Sequence, residues 1–141
     1  HLEIATAHLS IGLVLGAMGE NDDSLLNLQK ALAIQESLLG TDHIEVAESY
    51  GEIGHMQSKK GDYSGALKQY RKALKIREAK LGKEHFQVIN SLQDIGRVLN
   101  AMGDFKSSES EYRRALKIQE AVLGDLHPDL AVTRALIGTT L

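Results

Sequence analysis

Histidine stands at His1, His43, His85 and His127, each 42 residues from the next. Imidazole is the commonest protein metal ligand, so a periodic set of histidines raises zinc chemistry first. Zinc ligands must all lie about 2 Å from one ion, however, and equivalent positions on repeats two helices apart are separated by roughly 16 to 20 Å. One ion cannot collect them. The spacing therefore assigns these histidines a structural role: each sits just before a helix and is expected to hydrogen-bond across the loop between units. His8 and His55 fall within helices, and no His-Glu-x-x-His pair is present.

Other chemistry finds no carrier. The chain has no cysteine, hence no disulfide framework and no thiolate site. It holds no glycine-rich nucleotide loop, no phosphate loop and no nucleophile elbow. Asp22 and Asp23 are adjacent acids in a turn, where helix capping explains them without acid–base work. No catalytic residue, metal or cofactor is expected, and the chain is not read as an enzyme. A net charge of −3 and a pI near 6.1 argue against nucleic acid. No apolar run approaches the roughly 20 residues of a membrane span. The lack of cysteine fits an intracellular, cytoplasmic protein, and a start at His1 without methionine suggests an excerpt from a longer one.

The elements that carry these residues are periodic. Gly12, Gly54, Gly96 and Gly138 keep the 42-residue register, as do Gly19, Gly61 and Gly103. Ala31-Leu32, Ala73-Leu74 and Ala115-Leu116 do so too, followed by Ile34, Ile76 and Ile118, and Leu39-Gly40, Leu81-Gly82 and Leu123-Gly124 close each unit. In the second unit Val46, Tyr50, Ile53 and Gln57 recur at helical spacing, predicting a helix A over about 45–60. Gly61 then supplies a left-handed stop and Asp62 a cap for a helix B over about 63–81, whose buried face is Ala66, Tyr70, Ala73, Leu74, Arg77 and Leu81. Gly54 and Gly96 on helix A, with Ala66, Ser24 and Ser108 on helix B, are small enough for the two helices to cross closely. The fold class is all-α: repeats over 1–42, 43–84 and 85–126, then helix A of a truncated fourth over 127–141, stacked as one continuous domain because no hairpin can bury its apolar face alone.

Gly61-Asp62-Tyr63 with Ala66, Tyr70, Ala73-Leu74, Ile76-Arg77-Glu78 and Leu81-Gly82 with His85 three residues on resemble the tetratricopeptide repeat, in its 42-residue kinesin light chain-like form. The resemblance covers essentially the whole chain and implies a right-handed α-solenoid of about three full repeats plus one extra helix. Departures are Leu28 where Tyr70 and Tyr112 recur, Gln57 within an apolar stripe, and Ile44 and Phe86 where only Pro128 keeps the His-Pro pair.

The resemblance further implies that the A helices line a concave surface and that the ligand is a partner protein's peptide or helix lying along it. Counting opposite the buried stripe places Glu48, Glu52, His55 and Lys59 on the second unit, and Asn90, Asp94, Arg97 and Ala101, flanked by Gln93 and Asn100, on the third. Thr6, Ser10, Leu13 and Ala17 are their counterparts on the first. Asn90, Gln93 and Asn100 suit a peptide backbone; His55, Lys59 and Arg97 suit acidic side chains. Chaperone-binding relatives clamp a terminal carboxylate where this chain has Gly51, His55, Gln93 and Arg97, so no such clamp is expected. On the B helices Lys30, Lys68, Lys72, Lys75, Arg114 and Lys117 form a basic stripe, read as a solvated face, with an acidic partner as the alternative. The function expected is a scaffold or adaptor module binding a protein partner. The alternative is a spacer or oligomerisation segment that self-associates through exposed terminal faces, with Leu136 and Ile137 at one end.

Overall fold

The computed structural model describes residues 1–123 and 129–138. Among them are seven α-helices and no strand: α1 (Leu2–Ala17), α2 (Asn21–Leu39), α3 (Ile44–Lys59), α4 (Tyr63–Leu81), α5 (Phe86–Ala101), α6 (Phe105–Leu123) and α7 (Asp129–Gly138). The A helices α1, α3 and α5 are each 16 residues long and the B helices α2, α4 and α6 each 19, so the sequence repeat is a repeat of hairpins. His127 and the last three residues expected of the fourth helix A, 139–141, lie outside the described residues. The chain divides into two compact units, His1–Ile76 and Arg77–Leu141.

The turn from each A helix to its B helix is fixed by glycine. Gly19, Gly61 and Gly103 have φ of 84°, 85° and 85°, a region where a side chain would strain the backbone. Each is followed by an amide bonded back to the last helical turn: Glu20 N to Leu15 O at 2.9 Å, Asp62 N to Gln57 O at 2.8 Å, and Asp104 N to Leu99 O at 3.0 Å. This closure satisfies carbonyls that the helix end would otherwise leave open. Asp62 and Asp104 then cap the next helix, their Oδ1 atoms accepting from Gly65 N and Ser107 N at 3.0 and 3.2 Å. Glu20 makes no such bond, because its longer side chain fits the cap less well. Asp22, expected to cap, lies instead in the first turn of α2 and pairs with Lys60.

The histidines depart from expectation in their partners. His43 Nδ1 accepts from Glu45 N at 3.2 Å and His85 Nδ1 from Gln87 N at 3.1 Å, so each caps the helix it precedes rather than bridging two units. His1 occupies the same cap position without a side-chain bond. The ring reaches its own helix because the histidine, extended at φ −80° and ψ 146° in His43 and φ −77° and ψ 146° in His85, stands at the N-cap, where a side chain can meet a free amide of the first turn. Among the described residues no cluster of His, Asp or Glu could hold a metal ion.

In the first unit α1 packs on α2 and α2 on α3. Leu28, Ile53 and Met56 form one buried cluster, and Val46, Ala47, Tyr50, Ala73 and Ile76 another. Gln57, which the sequence places in this stripe, is half-buried. The second unit packs α5 on α6 and α6 on α7, burying Val88, Leu92, Ile95, Tyr112, Ala115 and Leu130. Ile137 is buried and Leu136 half-buried within it.

Within each hairpin the helices meet at glycine. A Cβ on Gly12 would lie 2.9 Å from Leu28 Cδ2, one on Gly54 3.0 Å from Tyr70 Cε1, and one on Gly96 2.4 Å from Tyr112 Cε1. The backbones come close enough for Ser24 Oγ to donate to Gly12 O at 2.6 Å and Ser108 Oγ to Gly96 O at 2.7 Å. The middle repeat has Ala66 at that position and forgoes the bond.

A second recurring contact joins each B helix to the next A helix. Ser49 Oγ donates to Gln35 Oε1 at 2.5 Å, Arg77 Nη1 donates to Ser91 Oγ at 2.7 Å, and the Thr133 hydroxyl donates to Gln119 Oε1. Gln35, Arg77 and Gln119 share one register position, Ser49, Ser91 and Thr133 another, and the hydroxyl members are buried. A polar group buried without its partner costs about 1 to 3 kcal/mol, so these bonds penalise any slip between successive hairpins.

Replacing Gly96 by alanine should destabilise the fold by about 1 to 3 kcal/mol, since Tyr112 must move, despite about 1 kcal/mol of added helix propensity. Gly54→Ala should cost less, its ring contact being longer. Urea unfolding of both variants checks the order; equal or reversed effects would show that Tyr112 relaxes freely.

Candidate protein-binding surface

The helical period that buries Val46, Tyr50 and Ile53 turns Glu48, Glu52, His55 and Lys59 to the other side of α3. Glu48, His55 and Lys59 are exposed; Glu52 is half-buried and already engaged by a neighbouring group. Next to the exposed side, Tyr50 anchors α3 to the preceding hairpin: its hydroxyl donates to Glu36 Oε1 at 2.7 Å, and Lys72 Nζ lies 5.1 Å from the ring centre. Burial, followed by the hydrogen bond to Glu36 and that residue's negative charge, pushes the Tyr50 hydroxyl up to about 12. Burial likewise raises the Tyr112 hydroxyl in the second unit.

On α5 the expected set separates. Asn90 and Arg97 are exposed, and Asp94 is half-buried with Oδ1 at 3.3 Å from Arg97 Nη1. An ion pair this open to water contributes little, about 0 to 1 kcal/mol, so it holds Arg97 in place without consuming the guanidinium. Asn100 is half-buried, and its Oδ1 has no hydrogen-bond partner among the described residues. Gln93 faces inward. It is 8 % exposed, and its Nε2 donates to Thr133 Oγ1 at 2.7 Å, whose hydroxyl in turn donates to Gln119. The amide that the sequence offers to a ligand thus completes an internal hydrogen-bond chain, and a buried amide with a partner is not free to leave it. On α1, Thr6, Ser10, Leu13 and Ala17 are all exposed, the Thr6 hydroxyl bonding Leu2 O at 3.0 Å.

These groups are donors, acceptors and charges. On α3 the stripe offers two carboxylates, an imidazole and an ammonium; on α5 it offers an amide and a guanidinium beside a carboxylate. Such side chains hydrogen-bond a peptide backbone or pair with its charges. The B-to-A bonds were missed by reasoning from apolar periodicity alone. Their signal was there in the recurrence of Gln or Arg, then Ser or Thr fourteen residues on, inside otherwise apolar stripes.

A family model described as tetratricopeptide repeat matches residues 3–79, 46–121 and 87–141. No curated protein matches the sequence. Among solved structures, BtubC (BKLC) from P. vanneervenii is similar at a TM-score of 0.89 and 18 % identity, covering 96 % of this chain and 54 % of that one. A kinesin light chain-type protein of nearly identical TPR-like repeats from Podosopora anserina gives 0.86 and 18 %, over 99 % of this chain and 66 % of that one. The N-terminal domain of stress-induced protein-1 from C. elegans gives 0.71 and 12 %, over 96 % and 95 %. The chain thus spans between about half and two thirds of the first two proteins. At these identities the likeness shows the fold, an all-α solenoid of helical repeats. Among the described residues no helix is long and apolar enough to cross a membrane.

A raised Tyr50 hydroxyl means that the folded chain holds its proton where the unfolded chain has lost it. Stability from this group is therefore complete below about pH 10 and declines as pH rises towards 12, by on the order of 2 to 3 kcal/mol. Tyr50→Phe should flatten that decline, measured as urea midpoints at successive alkaline pH values. An unchanged slope would place the titration elsewhere.

Proposed function

The chain belongs to the tetratricopeptide repeat family, and on that premise we propose that it is a protein-interaction module of a scaffold or adaptor, taking a peptide or helix of a partner protein on its A helices. One observation carries the reading. Glu48, His55 and Lys59 on α3, and Asn90 and Arg97 on α5, are exposed polar or charged groups at equivalent turns of helices whose other faces are packed. Neither capping nor packing between hairpins uses them. Gln93 is left out of the set because Thr133 occupies it.

The stripes are mixed in sign, which favours a partner segment carrying polar groups of both kinds over a uniformly acidic or basic one. Asn90 can both donate to and accept from an extended backbone, and Arg97 can take a carboxylate with donors that Asp94 leaves open. Nothing in the arrangement brings a nucleophile to a base, and the function proposed is recognition without catalysis.

A second reading, spacing or self-association through stacked repeats, is favoured by the outer face of α1. Ile4, Ile11 and Val14 are 52 %, 48 % and 59 % exposed, whereas Val46, Ile53 and Met56 at the same register positions of α3 are 0 %, 2 % and 3 % exposed. An apolar patch of this kind marks a contact surface.

Capture of partners from lysate, identified by mass spectrometry, should fail for the Asn90→Ala/Arg97→Ala double variant while circular dichroism stays unchanged. Equal capture by wild type and variant would remove α5 from the binding surface. Ile11→Lys/Val14→Glu should lower the mass found by light scattering if α1 is an association face; a mass that is monomeric in both proteins would discard that second reading.

A further inference from the structure

The turn between α4 and α5 and the last half of α6 enclose a cleft of about 290 Å³, lined by Lys83, Glu84, Arg114, Lys117, Ile118 and Ala121. All six lie in the second unit. Four of them follow i, i+3, i+4 and i+7 on α6, so the helical period alone brings them to one face. Ile118 and Ala121 supply apolar surface; the remainder is charged.

Among the described residues, the charges of the cleft are not balanced. Arg114 Nη2 lies 2.9 Å from Glu78 Oε2, an ion pair between α6 and the end of α4 that fixes the guanidinium as a wall. Lys83 and Lys117 are exposed, and neither makes an ion pair with a described residue. Glu84 is the single acid in the lining among the described residues. The chain as a whole carries −3, so a local positive excess beside apolar surface does not follow from composition.

We propose that this cleft is a second docking site, for a partner-protein segment in which an aliphatic or aromatic side chain is flanked by carboxylates. The apolar side chain lies against Ile118 and Ala121, and the carboxylates pair with the ammonium groups of Lys83 and Lys117. Charge complementarity selects the sign of the partner and the apolar surface selects its kind: a bare anion would leave Ile118 and Ala121 uncovered, and a nucleic acid would need a broader basic footprint. This surface lies on a B helix and a turn, apart from the A-helix stripes of the proposed function, and it stands or falls separately from them.

The test is fluorescence anisotropy with a short dye-labelled peptide holding one phenylalanine between glutamates, against the same peptide with lysines in their place. The glutamate peptide should bind saturably and more weakly as salt rises. Lys83→Glu and Lys117→Glu should each weaken it by about three- to tenfold. Lys68→Glu, an exposed charge reversal on the other unit, should leave it unchanged. Because the three lysines are exposed, thermal melts of the variants should match wild type. Failure of the glutamate peptide to saturate, equal binding of the lysine peptide, or equal weakening by Lys68→Glu would each overturn the assignment.

Discussion

The approach of α1, α3 and α5 to the B helix that follows each, so close that a Cβ at the crossing glycine would lie 2.4 to 3.0 Å from the opposing side chain, is the constraint on which the rest depends. Gly12, Gly54 and Gly96 give up helix propensity so that Leu28, Tyr70 and Tyr112 can lie against bare backbone. Where serine stands opposite, at Ser24 and Ser108, the same closeness turns into a hydrogen bond to the glycine carbonyl. The hairpin is rigid because its axis separation is set by backbone and ring rather than by flexible side chains.

Rigid hairpins still have to be placed on one another, and apolar contacts alone tolerate sliding. The pairs Gln35–Ser49, Arg77–Ser91 and Gln119–Thr133, each with a buried hydroxyl, supply the missing direction. Each sets a hydroxyl that water cannot reach against a specific polar partner, so a displaced stacking loses a bond it cannot replace. Gln93 extends the last of these pairs through Thr133. Stability between repeats and the inventory of groups left for a ligand are thereby linked: a polar side chain recruited to hold the stack is withdrawn from the surface.

What the packing leaves over is a set of exposed polar side chains. Helical periodicity commits one face of α3 and α5 to the core and releases the opposite face to solvent, with Asn90, Arg97, His55 and Lys59 on it. The turn after α4 brings Lys83 to a face of α6 that already carries Lys117, although 34 positions separate them. Both arrangements set charged and polar side chains on surfaces that the packing of the helices does not use.

Periodicity by itself determined the helices, their ends and their pairing into hairpins. A 42-residue recurrence of glycine, alanine and leucine admits few other readings, and a left-handed glycine followed by aspartate marks a turn wherever it stands. It also marked the outward positions of α3 and α5, since a helix of 3.6 residues per turn has a calculable far side. Only tertiary structure decided which polar residues were spoken for. Gln93 and Asn90 are three positions apart on one helix and chemically alike, yet one is buried against Thr133 and the other open, because a hydroxyl 40 residues away meets the first and not the second. His43 and His85 could equally have reached outward or capped their own helices, and backbone geometry chose the cap. Local spacing specifies the direction in which a side chain leaves its helix; what it meets there depends on a neighbour that spacing does not contain.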